Sequence, residues 1–202
     1  MSERPYPLLA NAIHDAPRVK IIGSDGQPHE VQIFPFGEYG TIIRHGLIRE
    51  ISHGLSKKLK RWQGQFDYLV DLMPGGGRWG LLVALGCGVD STTGWVNRGG
   101  PLYETMLDDE FRVKVGGPHG RELCFRGIEA GDRVVILDDI IATGKTIKGV
   151  VKAFQERKIE VVGVLAIVTK GDAYKQIERD FRVPAATLVN LDQRGEIIQN
   201  KL

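Results

Sequence analysis

The sequence predicts an α/β protein, a doubly wound parallel sheet with right-handed crossovers between strands. Three observations carry that expectation. Residues 134–137, Val-Val-Ile-Leu, form a continuous apolar run of the kind found in strands buried on both faces of a parallel sheet, and Ile147, Val150, Val151 and Phe154 follow at helical spacing. Residues 66–73 repeat the arrangement, running through Pro74-Gly75-Gly76-Gly77-Arg78-Trp79-Gly80 into the apolar helical segment 81–85. From about residue 66 onward, strand and helix patterns alternate.

In chain order, residues 1–17 read as an irregular arm, because the segment is polar and broken by Pro5 and Pro7. Val19-Lys20-Ile21-Ile22 and Val31-Gln32-Ile33-Phe34 are short strand patterns around the turn-forming stretch 23–28, a hairpin. Ile42, Ile43, Leu47, Ile51, Leu55 and Leu59 then form one apolar helical stripe reaching about Trp62. Arg44, Arg49, Lys57, Lys58, Lys60 and Arg61 lie mostly off that stripe and read as a solvated helix face. The three glycines 75–77 allow backbone conformations closed to other residues and close approach of a ligand, against the alternative of a merely flexible turn. A tertiary amide at Met73-Pro74 lowers the cost of a cis bond without choosing the isomer.

Residues 88–96 read as a strand centred on Ser91-Thr92-Thr93. Residues 97–117 read as a mobile segment, with glycines at 99, 100, 116 and 117, the acidic cluster Asp108-Asp109-Glu110, and the cations Arg98, Arg112 and Lys114. A long, weakly structured stretch inside a domain is either functional or a sign of wrong assignment. Arg121-Glu122-Leu123-Cys124-Phe125 looks like its returning strand, with His119 a surface residue before it. After the central motif a helix is expected to about Arg157, then a buried strand over 161–168, a helix over 173–180 and a final strand over 185–191, followed by a polar tail.

A chain of 202 residues suits one domain with a substantial core. Hydrophobic and charged contents of 42% and 26% are those of an ordinary globular protein. A formal charge of +2 gives no argument for nucleic acid or an anionic membrane. Cys87 and Cys124 stand in apolar surroundings without metal or redox spacing, which favours free thiols and a cytoplasmic setting. The polar N-terminus argues against a signal peptide, and no apolar run is long enough to span a membrane.

Chemistry concentrates after the strand at 134–137. Asp138 and Asp139 stand where the strand leaves the core, and Thr143-Gly144-Lys145-Thr146 closes a loop into the next helix. Open α/β sheets bind ligands at such carboxyl ends. Backbone N–H groups at a helix start and two threonine hydroxyls suit a phosphate. Two carboxylates beside them suit ribose hydroxyls, or a Mg²⁺ held partly by substrate oxygens. A triphosphate P-loop is excluded, because the glycine it needs five residues before Gly144 is Asp139. An acidic N-cap on an ordinary helix accounts for one Asp but not for two followed by Thr-Gly-Lys-Thr.

Asp138-Asp139-Ile140-Ile141-Ala142-Thr143-Gly144-Lys145-Thr146 resembles the signature of the type I phosphoribosyltransferases. That signature is an apolar strand, two acidic residues, two or three variable residues, then Thr-Gly-Gly-Thr or Thr-Gly-Gly-Ser. The departure is Lys145, where the family usually has the second glycine. The Ile-Ile-Ala-Thr-Gly section looks most like the adenine phosphoribosyltransferase version.

The resemblance implies transfer of 5-phosphoribose from phosphoribosyl pyrophosphate to a nucleobase, a purine with the motif leaning to adenine, with release of pyrophosphate, in nucleotide salvage. Residues 1–65 would then supply the hood over the base and a dimer region, and residues 66–202 the core. Asp138 and Asp139 would orient the ribose and hold Mg²⁺, partly through substrate or water. Ala142, Thr143, Gly144, Lys145 and Thr146 would grip the 5-phosphate. Arg78 with Pro74, Gly75, Gly76 and Gly77 would stabilise the leaving pyrophosphate. The segment 97–117 would close over the substrate, bringing Arg98, Arg112 or Lys114 to the pyrophosphate. Asp172 would either cap the next helix or touch base or ribose. The resemblance also implies a homodimer, with no nucleic acid or membrane partner. Competing readings are a non-catalytic phosphoribosyl pyrophosphate sensor, whose DNA-binding form is opposed by the lack of a helix-turn-helix pattern ahead of the main domain and by the low net charge, and pyrophosphate transfer, for which no ATP site is visible.

Overall fold

The structure is a computed structural model, and it describes residues 5–22, 27–37, 42–96, 110–116 and 121–198. A seven-stranded sheet runs through these residues in the order β5-β6-β4-β3-β7-β8-β9. Its strands are β3 (Tyr68–Leu72), β4 (Asp90–Val96), β5 (Glu110–Val115), β6 (Arg121–Arg126), β7 (Arg133–Ile141), β8 (Glu160–Lys170) and β9 (Ala185–Leu191). The stretch β4-β3-β7-β8-β9 is parallel, and β6 runs antiparallel to both β4 and β5. The hairpin of β1 (Arg18–Ile22) and β2 (Pro28–Gln32) stands apart from this sheet, with Val19 opposite Val31.

Alternation along the central strands divides the core in two. Leu69, Val135 and Leu137 point to one face, where α2 (His45–Leu59) and α3 (Gly77–Cys87) pack through Leu47, Ile51, Leu55, Trp79 and Val83. Val70, Val134 and Ile136 point to the other, against α4 (Lys145–Glu156) and α5 (Ala173–Phe181). Because the strands are covered on both faces, the run at 134–137 is apolar throughout rather than alternating, and all four residues are fully buried. On α4, Ile147, Val150, Val151 and Phe154 are the buried stripe. Each such side chain contributes roughly 1.5–3 kcal/mol by leaving water.

Two expectations are corrected. Residues 7–14 are not an irregular arm but a helix, α1 (Pro7–His14). Pro7 occupies its first turn, where a missing N–H costs nothing, and the Glu50 carboxylate on α2 accepts the N–H groups of Leu8 and Leu9 at 3.2 and 2.7 Å. Likewise 110–115, expected within a mobile stretch, is the regular strand β5, paired along its length with β6. Val113 and Val115 enter the core on one side of β5. The remainder of the stretch from 97, including Arg98, and His119 lie outside the described residues.

Cys87 and Cys124 are free thiols. Among the described residues no helix is long and apolar enough to cross a membrane.

Candidate active site

β7 carries its pairing with β8 past the acidic residues to Ile141, so Asp138 and Asp139 belong to the last turns of a central strand rather than to a loop. Asp139 is 8% exposed, its carboxylate pressed against the glycine loop. A β-carbon at Gly75 would overlap that carboxylate, and one at Gly37 would stand 3.2 Å from its Oδ2. The two carboxylates are mutually crowded, with the Asp139 N–H donating to Asp138 Oδ1 at 3.0 Å. Burial, then the neighbouring Asp139 charge, pushes Asp138 well above the usual carboxylate range, while Arg121 pulls it the other way.

The chain then turns at Gly144, whose φ of +73° requires glycine. Lys145 is the first helical residue of α4 and does not share that positive φ, so the departure from the family pattern involves no backbone strain. Its side chain is exposed; the N-cap residue Gly144 has no side chain to cap α4, and the Thr143 hydroxyl accepts the Lys145 N–H at 3.4 Å. The start of α4, beside the Thr143 and Thr146 hydroxyls, is suited to an anion.

Opposite the acidic pair lies the loop from β3 to α3. The Met73–Pro74 peptide is cis. Gly76 is wedged between the Leu72 and Leu137 carbonyls, so the loop is fitted rather than slack. The helix starts at Gly77, earlier than the sequence suggests, which puts Arg78 and Trp79 in its first turn. Trp79 is buried and donates its indole N–H to the Phe36 carbonyl at 3.0 Å, tying the segment after the hairpin to α3.

A cleft of about 440 Å³ opens between these parts. Of the residues expected from the sequence, Asp138, Asp139, Pro74, Gly75, Ala142 and Thr146 line it. Gly76 and Gly77 support the loop from behind, and Thr143, Gly144 and Lys145 form the turn beside the cleft.

Of the expected cations, Arg78, Arg112 and Lys114 stand outside the cleft lining. Arg78 is exposed and shares a helix face with Leu81, Leu82 and Leu85 rather than lining the cleft. Arg112 pairs with Glu110 at 3.2 Å and Glu122 at 3.6 Å, and Lys114 is exposed on β5, because Val113 and Val115 take the inward positions. Among the described residues, the cation that lines the cleft is Arg121, at the start of β6. Asp172 stands at the N-cap position of α5, makes no cap bond and pairs with Lys175 at 2.9 Å, away from the cleft.

The sequence also left unplaced the opposite wall, made by Val31, Gln32, Ile33 and Phe34 at the end of the hairpin. A short strand with apolar residues on its inner edge was the only signal for it.

Residues 120–189 match the profile of the phosphoribosyl transferase domain. The hypoxanthine/guanine phosphoribosyltransferase of Methanococcus vannielii is 26% identical over 187 residues, covering 92% of this chain and 93% of that one. Over residues 120–189 the chain is thus similar to the phosphoribosyl transferase domain, a stretch that includes the strand, acidic pair and loop of the candidate site. The like-named Methanococcus voltae protein is 35% identical over 79 residues, so that match spans 38% of this chain and 42% of the relative's length. Among solved structures, the adenine phosphoribosyltransferase of Saccharomyces cerevisiae, complexed with an imino-altritol bisphosphate and adenine, superposes with a TM-score of 0.66 at 20% identity, over 92% of this chain and 98% of that one. That likeness shows a shared α/β fold.

Proposed function

We propose that the protein transfers 5-phosphoribose from phosphoribosyl pyrophosphate to a purine base and releases pyrophosphate, as a salvage enzyme. The observation that carries this is the meeting of three parts at one end of the sheet: the acidic pair ending β7, the start of α4, and a glycine loop that Asp139 touches at Gly75. In this reading the α4 start with Thr143 and Thr146 binds the 5-phosphate, and Asp138 and Asp139 hold the ribose hydroxyls. Arg121 offsets negative charge on the pyrophosphate side. The hairpin wall of Gln32, Ile33 and Phe34 covers the base and keeps water from an oxocarbenium-like carbon. No nucleophile or base from the protein is needed, so the chemistry rests on positioning and charge.

The donor set fits Mg²⁺. Two crowded carboxylates offer hard oxygen ligands, and among the described residues no cluster of three His, Cys, Asp or Glu forms a closed metal site. Mg²⁺ characteristically takes one or two carboxylates and completes its shell from water and substrate phosphates. When bound, such an ion neutralises charge on the leaving pyrophosphate. Asp138 and Asp139 are the residues that would hold it.

A hypoxanthine/guanine enzyme as the relative matched over nearly its whole length favours a 6-oxopurine over adenine. The enzyme names borne by the relatives lend no support to a non-catalytic sensor. Free thiols fit a cytoplasmic setting, and the exposed leucines of α3 fit a homodimer.

The deciding experiment measures pyrophosphate release from phosphoribosyl pyrophosphate and Mg²⁺ across adenine, guanine, hypoxanthine, xanthine, uracil and orotate. Turnover with a purine, abolished in Asp138→Asn/Asp139→Asn, is the expected result. Tight phosphoribosyl pyrophosphate binding without turnover on any base would move the assignment to a sensor.

A further inference from the structure

The glycine loop is held from two sides, and only one of them faces the cleft. On the cleft side stands Asp139. On the other stands Asp71 of β3, which is 2% exposed and does not line the cleft. It sits in register with Thr93 on β4 and Leu137 on β7. Thr93 gives it a side-chain hydrogen bond, and its Oδ1 has no partner among the described residues. The carboxyl fills the space that two α3 glycines leave open. A β-carbon at Gly80 would overlap it, and one at Gly77 would stand 3.4 Å from Oδ1 and 2.9 Å from Met73 Cγ. The first turns of α3 therefore rest on a carboxyl group. Residues 73–76 alone connect β3 to α3, so a shift of that helix start passes directly to Pro74 and Gly75 in the cleft.

A buried carboxyl with an unpaired oxygen is costly, and an apolar side chain would fill the same place at less cost. Burial raises Asp71 to about 6, with the Thr93 hydrogen bond opposing. The groups packed on it, Thr93, Leu137, Gly77 and Gly80, carry no charge, and Arg78 on the same helix turn is exposed. Its charge is thus set by proton uptake rather than by an ion pair.

We propose that Asp71 is a positioning residue for the pyrophosphate-facing loop, its buried carboxyl fixing where the first turn of α3, and with it Gly75, stands relative to Asp139. This rests on the reading of that loop as the pyrophosphate site. When Asp71 loses its proton, a negative charge appears beneath the loop and weakens anion binding; the neutral form binds more tightly.

The test compares the wild type with Asp71→Asn, which keeps the shape and cannot ionise. Pyrophosphate binding with Mg²⁺ is measured by calorimetry at about pH 5 and about pH 7.5, and the backbone amide shifts of Gly75, Gly76 and Gly77 are titrated without ligand. Ionisation of pyrophosphate and of Asp138 is common to both proteins and cancels in the ratio of their Kd values. That ratio, wild type over variant, is expected to rise about fivefold across the range. The loop amides are expected to titrate near pH 6 in the wild type only. A constant ratio, or loop amides that titrate identically in both proteins, overturns the proposal. If neither protein binds pyrophosphate, the transferase reading falls, and the amide titration alone decides the role of Asp71. Gly80→Ala, which displaces the carboxyl, should move the same three amides.

Discussion

Gly75 is a glycine because Asp139 occupies the space its side chain would need. That contact makes a methyl group a sharp probe of the site. Gly75→Ala must push the Asp139 carboxylate, the loop, or both, and displacement of a positioned group by an ångström costs on the order of 100-fold in rate. The expected result is a fall in kcat/KM of about that size with the melting temperature little changed, read from steady-state kinetics beside calorimetry. Lys145 calls for a different argument. It adopts ordinary helical geometry, so glycine there gains nothing conformationally and loses about 1 kcal/mol of helix propensity. Its exposed ammonium at the helix start adds a cation where the 5-phosphate is expected to bind. Lys145→Met keeps the helix and removes the charge, and should weaken phosphoribosyl pyrophosphate binding about fivefold, in keeping with roughly 1 kcal/mol for an exposed charge pair. Unchanged affinity would remove Lys145 from the phosphate site.

At the level of elements, what could be read from the sequence was what the chain specifies locally. The run from β7 into α4 was legible because apolar strand, acidic pair, turn glycine and amphipathic helix are neighbours in sequence. β9 was legible at its observed bounds for the same reason. α1 was missed because its N-terminal donors are satisfied by Glu50, some forty residues away, which leaves only discouraging prolines in view. β5 was missed although Phe111, Val113 and Val115 alternate with Glu110, Arg112 and Lys114, because the glycines and the acidic cluster around it made the whole stretch read as one mobile segment, and its partner β6 lies beyond Gly116 and Gly117. The three glycines read as freedom, whereas each answers to a particular neighbour: Asp139, two carbonyls, or Met73 and Asp71. Trp79 makes the same point between elements, since its bond to the Phe36 carbonyl holds the hairpin side of the cleft to α3. Trp79→Phe keeps the ring burial and deletes that bond, leaving a buried carbonyl unpaired at a cost of about 1–3 kcal/mol. It should raise KM for the base more than KM for phosphoribosyl pyrophosphate, and equal increases would mean that the bond serves stability alone.

Across the whole molecule, two sets of carboxylates respond to pH with opposite sign. Hydrogen bonds from Arg133, from Lys148 and from the Glu196 backbone hold Asp67, Asp180 and Asp192 respectively below their ordinary range. Their contribution to stability is present above the unfolded value and is lost as pH falls through the folded ones. Asp71 and Asp138 are raised instead, chiefly by burial. Their contribution is complete below the unfolded value and is lost as pH rises through the folded one, which for Asp71 means between its ordinary 3.8 and about 6. A shift of that size corresponds to about 3 kcal/mol at most. The protein should therefore be most stable in mildly acidic solution and lose melting temperature as pH rises from about 4.5 to about 7. For a chain of this size the Asp71 share amounts to several degrees. Asp71→Asn removes that share and leaves the Asp138 share and the acid limb intact, so its melting temperature should fall less over the same interval. Calorimetric scans of both proteins across that range check this, and parallel curves would mean that Asp71 ionises as readily in the folded chain as in the unfolded one.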